Sequence, residues 1–208
     1  MKLSLLAILL SLLQTLHAQP CDSLKTMGVT LSFPINQLEI LAETDCPEAK
    51  LTLAYELLRG FRIQQDSSRA IQLLEECLED DIDCKYELFK VYYESTPSKA
   101  YSLITEIALI DTLTNYWDSA MVHNAMLIAA DMSERKLGNN DGPIISAAWH
   151  LLSYDLAGIW PDDAAERERA NVRLVLSKLS SEDLDGVYQI AKRILGRDPS
   201  LERTQFDK

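Results

Sequence analysis

From about residue 35 onward, almost every segment of this chain has the apolar spacing of an amphipathic helix, and strand-like alternation is rare. Only seven glycines occur, and several stand where a helix should end. Asp45-Cys46-Pro47-Glu48 resembles a capping box, Arg59-Gly60 gives a cationic last turn and a left-handed stop, and Thr96-Pro97 opens a helix. The pattern predicts an all-α fold in which short polar turns make sequence neighbours antiparallel.

The second half of the chain continues this punctuation, and its caps and breakers predict four more helices. The first runs from about Trp117 to Lys136 with a stop at Gly138, and the second from Asp141-Gly142-Pro143 to about Leu156. The third runs from Pro161-Asp162-Asp163 to Leu176. The fourth runs from the capping box Ser180-Ser181-Glu182-Asp183 to Leu195-Gly196. Residues 198–208 are expected to form a flexible tail.

The N-terminus predicts export. Lys2 precedes an apolar run over residues 3–13, and Ala18 offers a small-residue exit. The run is shorter than the ~20 residues of a membrane span. We therefore expect a signal peptide over 1–18, cleavage near Ala18-Gln19, and a periplasmic or secreted protein that is not inserted in the membrane. The residues before Cys21 do not form a bacterial lipoprotein box, so no lipid anchor is expected.

Charge and cysteine content limit the partners. The chain has 20 Lys+Arg against 32 Asp+Glu, a net charge of −12. Such a chain repels nucleic acid and anionic lipid and attracts basic proteins, although acidity also serves solubility alone. All four cysteines lie in the first half of the expected mature chain, and an even count in an exported protein indicates disulfides, with three connectivities open. The spacing needed for a zinc site is absent.

A short motif recurs along the helices. Ala70-Ile71-Gln72-Leu73-Leu74 is matched by Ala100-Tyr101-Ser102-Leu103-Ile104 and by Ala148-Trp149-His150-Leu151-Leu152. Upstream of the first two copies, Ala49 and Cys84 occupy equivalent positions 35 residues apart, which is a helix-hairpin repeat length. The recurrence predicts stacked helical hairpins.

Residues 49–81 resemble a SEL-one-like repeat, a tetratricopeptide-like helical hairpin. The resemblance rests on Ala49, Leu53, Leu57, Gly60, Ile63, Asp66, Arg69-Ala70, Leu73 and Cys77 at the family's intervals. It implies two repeats over 45–110, of which 84–110 lacks the glycine loop, a degenerate helical part over 111–197, and a separate N-terminal segment over 19–44. The family's fold is an α-solenoid, and its implied role is protein–protein scaffolding or adaptor work.

The resemblance also favours one disulfide pairing. In a hairpin repeat, Cys77 ends one helix and Cys84 begins the next, so the turn can bring their Cβ atoms to ~4 Å. Cysteine-rich secreted members of the family place bridges at a similar junction. We expect Cys77–Cys84, and with it Cys21–Cys46, which would tie the N-terminal segment to the first repeat.

Catalytic motifs are absent. The chain has no HExxH, GxSxG, P-loop or GxGxxG pattern, and the SxxK match at Ser133 falls near a predicted helix end without its partner motifs. The alternative is a hydrolase that uses His123 or His150 with Asp131 or Asp155. Because a histidine in an apolar helical segment is usually a packed side chain, we expect no enzyme, no cofactor and no metal site.

A protein-binding surface is the remaining functional hypothesis. Helical solenoids bind protein segments on a concave face, and acidic residues after Cys77 suit a basic partner. The candidate contacts are Lys50, Glu56, Glu79, Asp80, Lys85, Tyr86 and Tyr93. Two roles fit, an envelope adaptor or an inhibitor such as an immunity protein against an envelope-targeting effector. A structural module that oligomerises through its C-terminal half is a third alternative.

Overall fold

The computed structural model describes residues 21, 33–44, 46–110, 116–137, 142–157, 162–196 and 199. These residues form nine α-helices and no strand, which confirms the all-α class for this part of the chain. The helices are α1 (Ile35–Ala42), α2 (Pro47–Arg59), α3 (Ser67–Glu76), α4 (Ile82–Ser95), α5 (Pro97–Ala108), α6 (Tyr116–Glu134), α7 (Pro143–Ala157), α8 (Asp162–Leu176) and α9 (Ser181–Leu195). The expected signal peptide and nearly all of the expected tail lie outside the described residues.

The chain divides into two compact units, Met1–Leu88 and Phe89–Lys208, here called unit 1 and unit 2. The boundary falls inside α4, so the first half of that helix belongs to unit 1 and the second half to unit 2.

Local chemistry fixes the helix ends of unit 1. Gly60 ends α2 in the left-handed conformation at φ 68°, and its N–H donates to the Glu56 carbonyl at 2.8 Å. Asp66 caps α3, since its carboxylate accepts the Arg69 N–H at 2.9 Å. The Gly60 stop stands where the sequence predicts it.

The predicted capping box at the start of α2 is wrong. The N-cap is Cys46, whose side chain makes no capping hydrogen bond, and Pro47 is the first residue of the helix; Asp45 lies outside the described residues. The reason is steric, because a residue before proline is driven out of the helical region and Cys46 is extended at φ −120°, ψ 95°. Pro47 then needs no N–H partner at the first helical position.

The core of unit 1 is formed by leucines on three helices. Helix α1 packs on α2, and α2 packs on α3. Leu38, Leu53 and Leu74 from these helices are fully buried. Each buried leucine contributes about 1.5–3 kcal/mol relative to an exposed one, so this layer provides the main stabilisation of the hairpin.

Two disulfides brace unit 1. Cys21 is joined to Cys46 with a Cα–Cα distance of 5.8 Å, and Cys77 is joined to Cys84 at 6.0 Å. Cys77 follows α3 directly and Cys84 lies in the first turn of α4, so the second bridge closes the α3–α4 turn. The two bridges, Cys77–Cys84 and Cys21–Cys46, are the pairing that we expected from the sequence. Cys77 and Cys84 are both fully buried.

In unit 2, α7 is the central helix. It packs against α6, α8 and α9, while α5 packs on α6. Ala147, Ala148, Leu151 and Leu152 of α7 are at most 1% exposed. A helix covered on several sides needs apolar residues on several faces, which explains why the sequence of α7 is apolar over most of its length.

The three copies of the recurring motif bury the same three positions. In each copy the first, fourth and fifth positions are buried, with exposures from 0% to 9%. These residues are Ala70, Leu73 and Leu74 in α3, Ala100, Leu103 and Ile104 in α5, and Ala148, Leu151 and Leu152 in α7. The shared pattern shows that the motif marks the packed side of a helix in both units.

Helix α6 ends earlier than the sequence predicts. Lys136 takes the left-handed conformation, at φ 56°, and Gly138 lies outside the described residues. The Lys136 N–H donates to the Ser133 carbonyl at 3.1 Å and the Leu137 N–H to the Met132 carbonyl at 2.9 Å. These two bonds form a Schellman motif, which satisfies the last carbonyls of the helix and stabilises a stop without glycine.

A small polar cluster joins three helices of unit 2. Trp149 Nε1 of α7 donates to Tyr101 Oη of α5 at 3.2 Å, and Tyr101 Oη shares a 2.9 Å hydrogen bond with Ser133 Oγ of α6. Ser133 is fully buried and Trp149 is 5% exposed. Because buried polar groups need partners, the cluster fixes how these helices meet.

None of the helices in the described part of the chain combines the length and apolar character that a membrane span requires.

Candidate functional site

A groove of about 550 Å³ lies in unit 2 between the second half of α4 and the middle of α6. Its apolar lining comes from Phe89 and Val91 of α4 and from Leu127 and Ile128 of α6. Phe89 is 5% exposed and forms the floor, whereas the other three are half-buried. The volume lies within the ~300–1,000 Å³ of typical binding pockets.

Tyr93 forms one wall of the groove. It lies one helical turn after Phe89, and the two rings pack edge to face with centroids 5.6 Å apart and planes at 67°. Tyr92 is not among the residues that line the groove. Its ring instead lies beside Lys99, whose ammonium is 4.9 Å from the ring centroid. The α4 sequence therefore separates its two adjacent tyrosines into different environments.

Arg135 bonds two of the residues that line one end of the groove. Its Nη1 donates to Tyr93 Oη at 2.8 Å and to Asp131 Oδ2 at 3.2 Å. The hydrogen bond that Arg135 donates to Asp131 is the largest of the effects that raise the pKa of Arg135 above its usual value. The guanidinium is therefore charged at every physiological pH, and this end of the groove already holds a cation between a phenol and a carboxylate.

Two further carboxylates lie near this end. Glu94 lines the groove and is exposed, and Glu134 is an exposed residue at the end of α6. Lys90, which also lines the groove, precedes Glu94 by one helical turn, about 6 Å along the axis. Acidic and basic side chains therefore lie together at this end of the groove, since Arg135 and the exposed Lys136 follow Glu134 directly.

A smaller pocket of about 290 Å³ lies in unit 1 between α2 and the first half of α4. Its lining is Leu51, Thr52, Tyr55, Asp83 and Glu87. Arg59 covers the Tyr55 ring at 4.1 Å from its centroid and donates to Tyr55 Oη at 2.6 Å. The pocket is acidic on its α4 side.

The structure distributes the predicted contact residues over both units. Glu79 and Asp80 are exposed in the turn that the Cys77–Cys84 bridge closes, and Lys85 and Tyr86 are half-buried on α4. Lys50 is half-buried, with its Nζ 3.6 Å from a Glu76 carboxylate oxygen. Only Tyr93 lies in unit 2, where it lines the groove.

Glu56 is a correction to that set. It is only 4% exposed, so it does not lie on an accessible surface of unit 1. Its carboxylate pairs with Arg62 Nη2 at 2.8 Å, and Arg62 Nη1 donates to the Phe33 carbonyl at 2.8 Å. Glu56 therefore orients an arginine that holds the chain before α1, which is a structural role.

The residues of the hydrolase alternative lie in α6 and α7. His123 is 6% exposed and His150 is half-buried. His123 and Asp131 are eight positions apart on α6, about 12 Å along the axis, which is beyond hydrogen-bond reach. Asp131 is instead bound to Arg135.

Ser133 does not present a nucleophile. Its side chain is fully buried and bonded to Tyr101, and it lies in the last turn of α6. The SxxK chemistry needs an accessible serine at a helix start, so this geometry does not fit it.

Among the described residues, one group of possible metal ligands comes together, formed by Cys21, Cys46 and Glu48 within 4.8 Å. The two sulfurs are joined in a disulfide, and metal ligation needs thiolates. The group therefore does not fit a metal centre, and the Glu48 carboxylate lies 3.2 Å from the Cys21 sulfur as a neighbour only.

Comparisons with known proteins leave the family open. No protein-family model matches the chain, and no curated protein matches it significantly.

The sequence did not identify most of the groove. It singled out Tyr93, but not Phe89, Leu127 or Ile128. The available signal was the spacing of Phe89 and Tyr93 on one face of α4. Leu127 and Ile128 gave no signal, because α6 carries apolar residues on more than one face.

Proposed function

We propose that this chain is an exported helical-repeat protein that binds another protein and performs no catalysis. The observation that carries the proposal is the groove of unit 2, with its apolar floor, half-buried Tyr93 and charged rim. Binding sites for protein segments typically combine a buried aromatic or aliphatic anchor position with a polar rim. The groove has both parts.

The repeat architecture is part of this proposal. The common burial of the three motif copies supports helical hairpins of one type, as a SEL-one-like α-solenoid would have. Helices α2 and α3 form one such hairpin, and α6 and α7 pack as neighbours in unit 2. Solenoids of this kind act by presenting side chains from successive helices to a protein ligand.

The export assignment is supported by two observations. The N-terminal pattern is that of a cleaved signal peptide, and both cysteine pairs are oxidised in the structure. Disulfides form and persist outside the reducing cytoplasm. We therefore place the mature protein in the periplasm or outside the cell, as an adaptor or as an inhibitor of a single envelope enzyme.

A capture experiment tests the function. The mature disulfide-bonded protein is immobilised and exposed to envelope extract, with an unrelated acidic protein on a parallel column as control. We expect one protein to be retained, to rebind after purification, and to form a defined complex by calorimetry. A single hydrolase or lipase bound at about nanomolar affinity identifies an inhibitor, and a weaker structural partner identifies an adaptor.

Histidine variants test the non-catalytic part. His150→Ala and His123→Gln should bind the captured partner with unchanged affinity and retain biological activity. Failure of the wild-type chain to bind any purified partner contradicts the binding function. Loss of biological activity in a folded histidine variant that still binds supports the hydrolase instead.

A further inference from the structure

The two disulfides of unit 1 differ in how far solvent can reach them. Cys77 and Cys84 are both 0% exposed. Cys46 is 1% exposed, but its partner Cys21 is half-buried. Thiol–disulfide exchange begins when a thiolate reaches one sulfur of the bond, so access to that sulfur limits the rate. Of the two bridges, Cys21–Cys46 therefore offers the easier entry to an external thiolate, and the entry is at Cys21.

A carboxylate lies beside this accessible bridge. Glu48 Oε2 is 3.2 Å from Cys21 Sγ and 3.8 Å from Cys46 Sγ. Glu48 is half-buried and lies in the first turn of α2, two residues after Cys46. Because a disulfide has no S–H group to donate, the carboxylate acts on these sulfurs through its charge. That charge is strong at this distance, since a partly buried site is less well screened than open water.

Exchange at this bridge brings negative charge next to Glu48. An external thiolate forms a bond to Cys21 Sγ, and Cys46 Sγ leaves with the electron pair of the broken bond. A second external thiolate then displaces Cys21 Sγ, so two external thiols are oxidised to one disulfide while the bridge is reduced. The N-terminus of α2 favours a thiolate at Cys46, and Glu48 opposes this effect.

The charge of the external thiol therefore matters at this bridge. A thiol that carries a second negative group is repelled by Glu48, and a thiol that carries an ammonium group is attracted to it. We infer that Cys21–Cys46 is the exchangeable disulfide of this chain, opened at Cys21, and that the Glu48 carboxylate makes its opening selective for cationic over anionic thiols. This property is independent of what the groove of unit 2 binds.

The test exposes the mature, disulfide-bonded protein to three monothiols, cysteamine as the cation, 2-mercaptoethanol as the neutral thiol and 2-mercaptoethanesulfonate as the anion. Each rate is divided by the rate of the same thiol with an uncharged cystine peptide, which removes differences in thiol acidity and nucleophilicity. Samples are alkylated with iodoacetamide and digested with trypsin. Lys25 places Cys21 and Cys46 on separate peptides, whereas Cys77 and Cys84 share one peptide, so the two bridges are measured separately.

In the wild-type chain, we expect Cys21–Cys46 to open at least about tenfold faster than Cys77–Cys84 with each thiol, because access differs. We also expect the relative rate at Cys21–Cys46 to fall by about tenfold from cysteamine to the sulfonate thiol. This second ratio is the charge selectivity of the bridge.

Two variants assign the charge selectivity to one carboxylate. Glu48→Gln should reduce it to less than about threefold. Glu79→Gln removes the same charge at an exposed position in the α3–α4 turn and should leave the selectivity as it is in the wild type. A purely structural role of Glu48 would accelerate all three thiols equally and would not change this ratio. Circular dichroism verifies that both variants are folded.

Four results overturn the inference. The first is that neither bridge opens in the folded protein, and the second is that Cys77–Cys84 opens as fast as Cys21–Cys46. The third is an equal relative rate for the three thiols at Cys21–Cys46. The fourth is a charge selectivity that Glu48→Gln leaves unchanged, or that Glu79→Gln lowers as much.

Discussion

At the scale of single residues, the environment of Glu56 changes its role. Glu56 and Glu79 have the same side chain, and the sequence placed both on a contact surface. Glu79 is exposed after α3, whereas Glu56 is 4% exposed and paired with Arg62. A charge that is removed from water needs its partner, so the two glutamates should respond differently to truncation.

We predict that Glu56→Ala lowers the free energy of unfolding by about 2 kcal/mol, because it leaves the Arg62 guanidinium without its carboxylate. This expected loss of stability is smaller than that for breaking a fully buried ion pair, because 28% of the Arg62 side chain is exposed to solvent. Urea unfolding followed by circular dichroism measures the change. Glu79→Ala is the control and should stay within about 0.5 kcal/mol of the wild type. Equal effects of the two changes would contradict the structural role of Glu56.

At the scale of helices, the three-helix cluster in unit 2 is the most specific tertiary feature. Tyr101 on α5 accepts from Trp149 on α7 and shares a hydrogen bond with Ser133 on α6. Apolar packing alone tolerates small rotations of a helix about its axis. A hydrogen-bonded cluster does not, because a rotated helix would leave buried polar atoms without partners.

Tyr101→Phe removes only the shared hydroxyl. We expect a loss of about 1–2 kcal/mol of stability, since Trp149 Nε1 is then left in a site that is 5% exposed without its acceptor. Thermal and urea unfolding should both show the change. Ser102→Ala, at an exposed position next to it on α5, is the matched control and should be nearly neutral. A Tyr101→Phe protein as stable as the control would mean that packing alone holds these helices.

At the scale of the whole molecule, redox state and location are linked. The two bridges close loops with sequence separations of 25 and 7 residues, both ending in unit 1. Each bridge stabilises by restricting the unfolded chain, at about 2.5–3.5 kcal/mol in the chain-entropy model. Unit 1 therefore depends on an oxidising compartment more than unit 2, since no described cysteine lies in unit 2.

We predict that the protein recovered from the producing cells' envelope or medium begins at Gln19 and has no thiol that reacts with iodoacetamide before reduction. Intact mass and N-terminal peptide mapping measure both properties. The control is the chain expressed without residues 1–18 in a reducing cytoplasm, which should show four reactive cysteines and a lower unfolding midpoint. A recovered chain that still begins at Met1, or that alkylates at two cysteines, contradicts the expected export and pairing.

The sequence by itself determined the all-α class and most helix ends. Gly60 and Thr96 act through their own backbone geometry, so neighbours in the chain are sufficient to identify them. It also identified the buried side of three helices, because the recurring motif repeats at helical spacing. These features depend on short-range interactions, which a sequence displays directly.

Only the tertiary structure decided which polar residues are buried and where a surface stays open. Glu56 is covered because Arg62 folds back over it, and α6 stops at Lys136 because two carbonyls find N–H partners there. The groove exists because no described helix of unit 2 covers the face shared by Phe89 and Leu127. Whether an apolar face is packed or open depends on distant parts of the chain, and hydrophobic spacing is the same in both cases.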